Sequence, residues 1–271
     1  MRGMSILTQG RIAVAQSCSR AGDVEGNTGE HVRLAERAAA RGASLVLFPE
    51  LSLTGYELET ASDAAFTLDD ERLAPLLETA ERCDTTLIVG APVRDSGLLY
   101  IGALILGPDG SVELYTKQRL GVVPPEAAPE GGAPPAEETL FTAGVRDPEV
   151  RAGAVRARIA ICADIGDPAH VARAAENDAN LYLASMLVTP SDYEADAARL
   201  GAYARRHGLA VALANHGAPT GGLDSAGGSA IWDSDGGSLV RLPPVGAGVG
   251  GVAEGRAYVS MLEPEVAGWE G

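Results

Sequence analysis

The 271-residue sequence is poor in cysteine and lacks long apolar runs. It has only three cysteines, an odd number without paired spacing, so no disulfide framework is indicated and a reducing, cytoplasmic compartment is expected. No apolar run approaches the roughly 20 residues that a membrane-spanning helix needs. The first ten residues also lack the sustained apolar stretch of a secretory signal. These absences argue against a membrane-embedded or secreted protein.

Basic residues are also scarce. Lys and Arg total 21, Asp and Glu total 37, and the formal net charge is −16. An acidic surface repels phosphates and anionic lipid head groups, so neither a nucleic acid nor a membrane is expected as a partner. The four histidines and three cysteines show no metal-ligand spacing, and no glycine-rich segment continues into the Lys-Ser/Thr of a phosphate loop. The sequence therefore predicts neither a metal site nor a nucleotide-phosphate site.

Apolar residues, by contrast, are abundant enough for a substantial core, at 46% of the sequence. No linker divides the chain, so we expect a single domain over residues 11–271, preceded by a flexible tail at residues 1–10. Residues 121–135 are rich in Pro, Gly, Ala and Glu and have no periodicity. Long loops of this kind in compact domains are usually functional lids or mobile segments.

Strand and helix patterns alternate in both halves of the chain, which predicts an α/β protein with parallel strands. Asn27 with Glu30 has the spacing of a capping box and predicts the start of the first helix there. Ser191 gives the same signal for a later helix, which Gly208 is expected to end. Strands are expected at residues 11–16, 44–48, 85–89, 98–106, 111–116, 155–161, 180–184, 209–214, 228–232, 237–240 and 252–260, and further helices at residues 70–82 and 168–177.

One cysteine directly follows a short, β-branched strand. Such a cysteine is often only a packing residue, and Cys18 and Cys83 keep that interpretation. Cys162 differs because its strand leads into a predicted helix, where main-chain N–H groups and the positive helix end can lower a thiol pKa. The N–H of Ala163 could also bind an oxyanion there. Cys162 is therefore the candidate nucleophile, and His216, either a loop histidine or an alternative base, follows another strand.

Two other predicted strands end in groups that could serve this nucleophile. Apolar residues lead directly into Glu50, so its carboxylate is expected in poorly solvated surroundings, where it needs pairing or protonation. It is either half of a structural ion pair or a general base whose pKa is raised by burial and lowered by a nearby lysine. Lys117, taken alone, is typical of a solvent-exposed strand end. We expect Glu50, Lys117 and Cys162 to converge.

Three motifs follow one another in a recognisable order. They are Phe48-Pro49-Glu50-Leu51 with Thr54-Gly55-Tyr56, then Tyr115-Thr116-Lys117-Gln118-Arg119-Leu120, then Ile161-Cys162-Ala163-Asp164. Weaker marks are Phe141 with Gly144, and Gly228-Ser229 before Ile231. In this order, and over nearly the whole chain, the motifs resemble those of the nitrilase or carbon–nitrogen hydrolase superfamily.

The resemblance implies an α/β fold built as a four-layer α-β-β-α sandwich, with a Glu-Lys-Cys triad. It makes Glu50 the general base, Lys117 the cation beside the tetrahedral intermediate, and Cys162 the nucleophile. It also implies a supporting second glutamate near the lysine, which is Glu137 or, alternatively, Glu138. No metal or organic cofactor is required. Members commonly pair two sandwiches, so a homodimer or larger homo-oligomer is expected.

The residues around the motifs indicate a branch of the superfamily. True nitrilases resemble a Cys-Trp-Glu pattern, whereas Cys162-Ala163-Asp164 resembles amidases and carbamoyl-hydrolases, so cleavage of a small linear amide is predicted over nitrile hydrolysis. The Arg-Arg pair of some carbamoyl-hydrolases is absent, which disfavours an N-carbamoyl amino acid as substrate. Two departures keep open a catalytically silent binding module on this scaffold. They are Arg119, where histidine is common, and Gly166-Asp167-Pro168-Ala169, where a Phe-Pro-Glu-like segment is common.

The acyl acceptor and the pocket are left open by the sequence. An acyl group on Cys162 could pass to water, as in an amidohydrolase, or to an amine, as in an N-acyltransferase. Tyr56, Met186 and Asn215 are candidate residues for lining the substrate pocket, and each is also compatible with ordinary packing.

Overall fold

The computed structural model describes residues 11–122 and 134–262. The predicted N-terminal tail, residues 1–10, and most of the predicted loop at residues 121–135 lie outside these ranges. The strands are β1 Ile12–Gln16, β2 Leu45–Leu47, β3 Thr86–Asp95, β4 Leu98–Leu106, β5 Val112–Thr116, β6 Val150–Ala152, β7 Val155–Ile161, β8 Leu181–Ser185, β9 Ala210–Ala214, β10 Ala230–Trp232, β11 Ser238–Arg241, β12 Gly248–Ala253 and β13 Arg256–Met261. The α-helices are α1 Val24–Ala39, α2 Ala61–Ala64, α3 Ala74–Cys83, α4 Pro168–Glu176 and α5 Tyr193–His207, with 3-10 turns at Leu58–Thr60, Glu71–Leu73, Glu137–Thr139 and Cys162–Gly166.

The strands form two mixed sheets. The first has the order β13-β12-β1-β2-β3-β4-β5, and the second has the order β11-β10-β9-β8-β7-β6. In each sheet the three central strands are parallel: β1, β2 and β3 in the first, and β7, β8 and β9 in the second. Antiparallel strands flank them: β4 and β6 are joined to β3 and β7 by short hairpins, whereas β12 and β10 pair with β1 and β9 after longer connections.

Alternation along the central strands divides the core into three layers. Ile12, Leu45, Ile159 and Leu183 point between the two sheets and form the largest cluster. Their neighbours on the opposite faces pack against helices, α1 and α3 on the first sheet and α4 and α5 on the second. A strand that is buried on both faces reads as a nearly continuous apolar run, which is how these strands were recognisable. The predicted four-layer α-β-β-α sandwich is confirmed.

Several predicted boundaries are wrong; β3, for example, continues six residues beyond the predicted end at residue 89, to Asp95. Helix α1 begins one turn before the predicted Asn27 cap, because Asp23 accepts a hydrogen bond from Gly26 N at 2.9 Å and caps it. The capping box predicted at Ser191 does not form, and the helix begins at Tyr193 without a side-chain cap. The strand predicted at residues 252–260 is in fact the hairpin of β12 and β13, with the turn at residues 254–255.

Within the part of the chain that the structure describes, none of the helices combines the length and the apolar character that a membrane span requires.

Candidate active site

The three predicted strand ends meet in one place. Glu50 follows β2, Lys117 follows β5 and Cys162 follows β7, so two groups come from the first sheet and one from the second. The Lys117 ammonium donates a hydrogen bond to Glu50 Oε1 at 2.6 Å, and both side chains are fully buried. Beside them, Ser185 Oγ donates to the carbonyl oxygen of Phe48 at 2.9 Å and links the two sheets. The site therefore lies between the sheets, at the ends of the central strands β2 and β7 and of the edge strand β5.

Backbone packing fixes the turn that carries Glu50. Leu51 has a φ of 52°, in the left-handed region that disfavours residues with a side chain. A Cβ on Gly90 of β3 would collide with Pro49 O and Leu51 N, so the glycine lets the two backbones approach. On another side, His216 Nε2 donates a hydrogen bond to the carbonyl oxygen of Glu50 at 2.7 Å. The general-base candidate is thus held from two directions.

A second carboxylate shares the ammonium. Glu137 Oε1 accepts hydrogen bonds from Lys117 Nζ at 2.7 Å and from the Tyr56 hydroxyl at 2.6 Å. Its Oε2 accepts one from Gly121 N at 2.7 Å. Glu137 is buried, whereas its neighbour Glu138 is exposed. Of the two glutamates that the sequence left open, Glu137 is therefore the one beside the lysine.

Cys162 has a strained backbone conformation at the end of β7, in the second sheet. Its φ is 42°, again in the left-handed region, which costs a non-glycine residue free energy unless the surroundings enforce it. The residue is partly exposed, and its thiol donates to the carbonyl oxygen of Leu187 at 3.8 Å. Among the described residues Glu50 Oε2 is buried without a hydrogen-bond partner, and interaction with the Cys162 thiol lowers the Glu50 pKa.

The charges of these groups act strongly on one another. Burial raises the pKa of Glu50 to about 7, Lys117 lowers it and Glu137 raises it. Burial alone would lower the pKa of Lys117, but the charges of Glu50, Cys162 and Glu137 raise it above its ordinary value. Burial and then the Glu50 charge raise the pKa of the Cys162 thiol well above its ordinary value, although Lys117 opposes them.

The predicted lowering of the thiol pKa is therefore wrong. The turn after β7 is a short 3-10 segment, Cys162–Gly166, and its main-chain N–H groups do not outweigh burial beside a carboxylate. The raised pKa favours the neutral thiol at Cys162, beside the buried carboxyl group of Glu50. A neutral thiol needs a neighbouring base before it can act as a nucleophile.

Of the predicted lining residues, only Tyr56 contacts the charged cluster. Met186 is packed with Tyr182 and Val171 in the outer core, between the second sheet and its helices. Strand alternation explains the error, because the next residue, Leu187, faces the inner layer and its carbonyl oxygen accepts from Cys162. The structure therefore places the Met186 side chain away from the charged cluster.

Asn215 is close to the site but its side chain is fully used by backbone partners. Its Oδ1 accepts from Val188 N at 2.9 Å, and its Nδ2 donates to Val188 O and Gly227 O at 3.2 and 2.9 Å. No amide hydrogen is left to bind a substrate. Asn215 therefore fixes the loop that carries Leu187 rather than lining the pocket.

The alternative base, His216, is committed elsewhere. Its Nε2 binds Glu50 O, its Nδ1 lies 3.5 Å from Ser19 Oγ, and burial lowers its pKa to about 4. The ring is therefore neutral near pH 7, with both nitrogens engaged away from the thiol. Its place in the structure is to hold the Glu50 turn.

Asp164, which the sequence marked only as the end of the third motif, makes contacts at the site that the sequence did not predict. Its carboxylate is buried and accepts hydrogen bonds from Ile161 N, Gln118 N and Arg119 N at 2.9, 3.1 and 2.7 Å. Asp164 therefore links the residue before Cys162 to the two residues after Lys117. Among the described residues, no cluster of three or more His, Cys, Asp or Glu side chains has the arrangement of a metal site.

Comparison with known proteins places this site in a family. A model of the carbon-nitrogen hydrolase family matches residues 11–254. A nitrilase of Pyrococcus abyssi is 28% identical over 114 residues, which cover 41% of this chain and 44% of the relative. An omega-amidase of Danio rerio is 33% identical over 95 residues, which cover 35% of this chain and 34% of the relative. The matched segments thus span less than half the length of these curated relatives.

A solved structure extends the similarity across the fold. It is an amidase from Nesterenkonia sp. AN1, 26% identical, with a TM-score of 0.77 and coverage of 90% of either chain. That structure is of a glutamate-to-leucine mutant and shows covalent addition of the acetamide moiety of fluoroacetamide at the active-site cysteine. The family model and the layered fold agree over most of the sequence: this chain belongs to the carbon–nitrogen hydrolase family of the nitrilase superfamily.

Proposed function

We propose that the protein is a thiol amidohydrolase that cleaves the C–N bond of small linear amides through an acyl-enzyme on Cys162. The observation that carries the proposal is the buried Lys117 ammonium, held between the carboxylates of Glu50 and Glu137 and interacting with the charge of Cys162. A cation so deeply buried is costly unless it is paired, and its interaction with Cys162 supports a role in stabilising an oxyanion formed there.

The groups suffice for a balanced reaction. Glu50 takes the thiol proton as sulfur attacks the carbonyl carbon, and the oxyanion is stabilised by Lys117 and by the N–H of Ala163. Glu50 then returns the proton to the leaving nitrogen, the C–N bond breaks, and ammonia or an amine departs from the thioester. Glu50 next takes a proton from water as that water attacks the thioester. The C–S bond then breaks, Glu50 returns its proton to the sulfur, and the carboxylic acid leaves.

Amides are favoured over nitriles by two observations. Ala163 and Asp164 follow the nucleophile, as in the amidase pattern, and a solved structure that covers 90% of this chain is of an amidase. The resting thiol fits this chemistry, because a protonated Glu50 is needed to expel an amine and is produced by the attack itself.

Ammonia release from a panel of short primary amides tests the proposal. We expect wild-type protein and Cys83→Ser to release ammonia equally, and Cys162→Ser to release none above background. Undiminished turnover by Cys162→Ser would contradict the proposal. Adding hydroxylamine distinguishes water from an amine as the acyl acceptor, since hydroxamate without free acid would indicate acyl transfer. If no amide gives a product, the result would indicate the silent binding module.

Self-association and a cytoplasmic location remain predictions from the sequence. We expect sedimentation velocity of the purified protein to show a dimer or larger species. A single species of about 28 kDa, close to the 27.8 kDa chain mass, would contradict the first of these predictions.

A further inference from the structure

A chain of buried hydrogen bonds runs from the outer core to Asp164. The Tyr115 hydroxyl donates to Asp164 Oδ2 at 2.7 Å, and His170 Nε2 lies 2.9 Å from the same hydroxyl oxygen. On the other side of the ring, His170 Nδ1 lies 2.8 Å from the Tyr182 hydroxyl. All four side chains are buried. The chain links β5, the turn after β7, helix α4 and β8.

The direction of these hydrogen bonds follows from the donors around Asp164. Its two oxygens meet only donors, three main-chain N–H groups and the Tyr115 hydroxyl, which suits a carboxylate. Since Tyr115 gives its proton to Asp164, its oxygen must accept from His170, which places the ring proton on Nε2. His170 Nδ1 is then left to accept from Tyr182. Burial lowers the pKa of His170, in keeping with a neutral ring.

Asp164 links the segment that carries Cys162 to the segment that carries Lys117. Its Oδ2 binds the N–H of Ile161, directly before Cys162, and its Oδ1 binds the N–H groups of Gln118 and Arg119, directly after Lys117. If Asp164 only capped the turn, the hydrogen bond from Ile161 N would be enough. The hydrogen bonds from Gln118 N and Arg119 N cross from the second sheet to the first. The carboxylate therefore sets the distance between the Cys162 sulfur and the Lys117 ammonium.

On the basis of the function proposed above, we propose that Asp164 is a positioning residue that fixes the Cys162 sulfur against the Lys117 ammonium, and that Tyr115, His170 and Tyr182 hold it in place. A directed chain of this kind leaves the carboxylate little freedom, because its oxygens are saturated by donors from several elements. The strained backbone of Cys162 is then enforced from both sides, by Ile161 N on Asp164 and by the thiol on Leu187 O.

The variants Asp164→Asn and Tyr115→Phe test the inference. An asparagine keeps the shape but turns one acceptor into an N–H that faces other N–H groups, and the phenylalanine removes only the hydroxyl. Tyr193→Phe is the matched control, since it removes a buried tyrosine hydroxyl that donates to Gly228 O, outside this chain of hydrogen bonds. We expect Asp164→Asn to lose about 10²-fold in kcat on a short amide with little change in KM, Tyr115→Phe to lose roughly tenfold, and Tyr193→Phe to match wild type.

Alkylation by iodoacetamide distinguishes positioning from general loosening. If Asp164 positions the nucleophile, Asp164→Asn slows alkylation of Cys162 in parallel with kcat and leaves the rates at Cys18 and Cys83 unchanged. If the substitution merely loosens the fold, the partly buried Cys18 reacts faster instead. Should Asp164→Asn fail to fold, Tyr115→Phe gives the same comparison with a smaller change.

Two further outcomes separate this inference from the proposed function. A wild-type protein that hydrolyses no amide, with Asp164→Asn still selectively slowing alkylation of Cys162, would end the proposed function and keep the positioning role. Wild-type turnover with Asp164→Asn unchanged in both assays would overturn the positioning role alone.

Nitrogen-15 NMR of the neutral His170 ring provides a test without mutation: a proton on Nε2 is expected, and a proton on Nδ1 would contradict the assigned direction of the hydrogen bonds.

Discussion

Replacing Glu137 by glutamine should move the pH dependence of activity in a defined direction. Glu137 adds to the charge that keeps Glu50 protonated, so removing that charge lowers the Glu50 pKa. Glu50 must be ionised to accept the thiol proton, and the acid limb of kcat/KM therefore shifts to lower pH. In the wild type the same reasoning places this limb near pH 7, the value to which burial raises the Glu50 pKa.

The size of the shift follows from the geometry. Both carboxylates bind one nitrogen, Glu50 at 2.6 Å and Glu137 at 2.7 Å, so their bound oxygens are close together. At a separation of about 5 Å and an effective dielectric constant of about 20, two such charges repel by about 3 kcal/mol. This corresponds to about two pKa units. Local rearrangement reduces the effect, so we expect a shift of about one to two pH units.

The variant should also lose activity, because three donors surround Glu137 and glutamine turns one acceptor into a donor. A buried donor left unpaired costs about 1–3 kcal/mol, which we expect to appear as a lower melting temperature. The assay is kcat/KM for a short amide against pH, with iodoacetamide alkylation of Cys162 against pH as a measurement that needs no turnover. The matched control is Glu138→Gln, the same change on the exposed neighbour, which should leave both profiles unchanged. An acid limb for Glu137→Gln that is unmoved, or moved to higher pH, would refute the electrostatic reasoning.

Lys117→Met should shift the acid limb the opposite way, to higher pH, because Lys117 lowers the Glu50 pKa. It should also destabilise the fold by about 3–5 kcal/mol in urea unfolding, since two buried carboxylates lose their cation; a shift to lower pH would contradict the assignment. Gly90→Ala should reduce kcat/KM about 10²-fold by displacing the Glu50 turn. Gly29→Ala is its control, because a Cβ there meets only the end of the Arg33 side chain at 3.8 Å; equal activities of the two variants would show that the turn tolerates displacement.

Strand ends are the part of the site that the sequence predicts well. Glu50 and Cys162 each follow a run of apolar residues that forms a parallel strand, one in each sheet, and the packing of the two sheets against each other brings the two strand ends together. The resemblance then supplied the layered fold, which alternating patterns alone do not specify. Lys117 carried a further signal, since it is the only lysine in the chain and every other Lys or Arg position is arginine. A lone lysine among arginines is less typical of a solvated surface.

Side-chain direction beyond a strand is harder to predict. Met186 and Leu187 differ by one position, and which of them faces the thiol depends on how far the alternation of β8 continues past Ser185. The sequence does not mark that point. The strand β12 was missed for a related reason, because Gly248, Gly250 and Gly251 have low strand propensity and are there for close packing against neighbouring strands.

Contacts between distant residues set the remaining properties. The three main-chain donors on Asp164 include two that lie more than 40 residues away, and the Tyr115 and His170 contact spans 55 residues. The thiol pKa depends in the same way on burial beside Glu50, whereas the sequence showed only a strand leading into a turn. Patterns along the chain could therefore predict which groups come together at the candidate site, but not the contacts that position them.

The account depends most on a covalent bond between the substrate acyl group and the sulfur of Cys162. Rapid acid quenching of wild-type protein with excess short amide, followed by peptide mass analysis, measures that bond directly. The account predicts an acyl adduct on the Cys162 peptide, formed together with one equivalent of ammonia and absent from Cys162→Ser. Ammonia release without an adduct at Cys162, or an adduct on another residue, would contradict it.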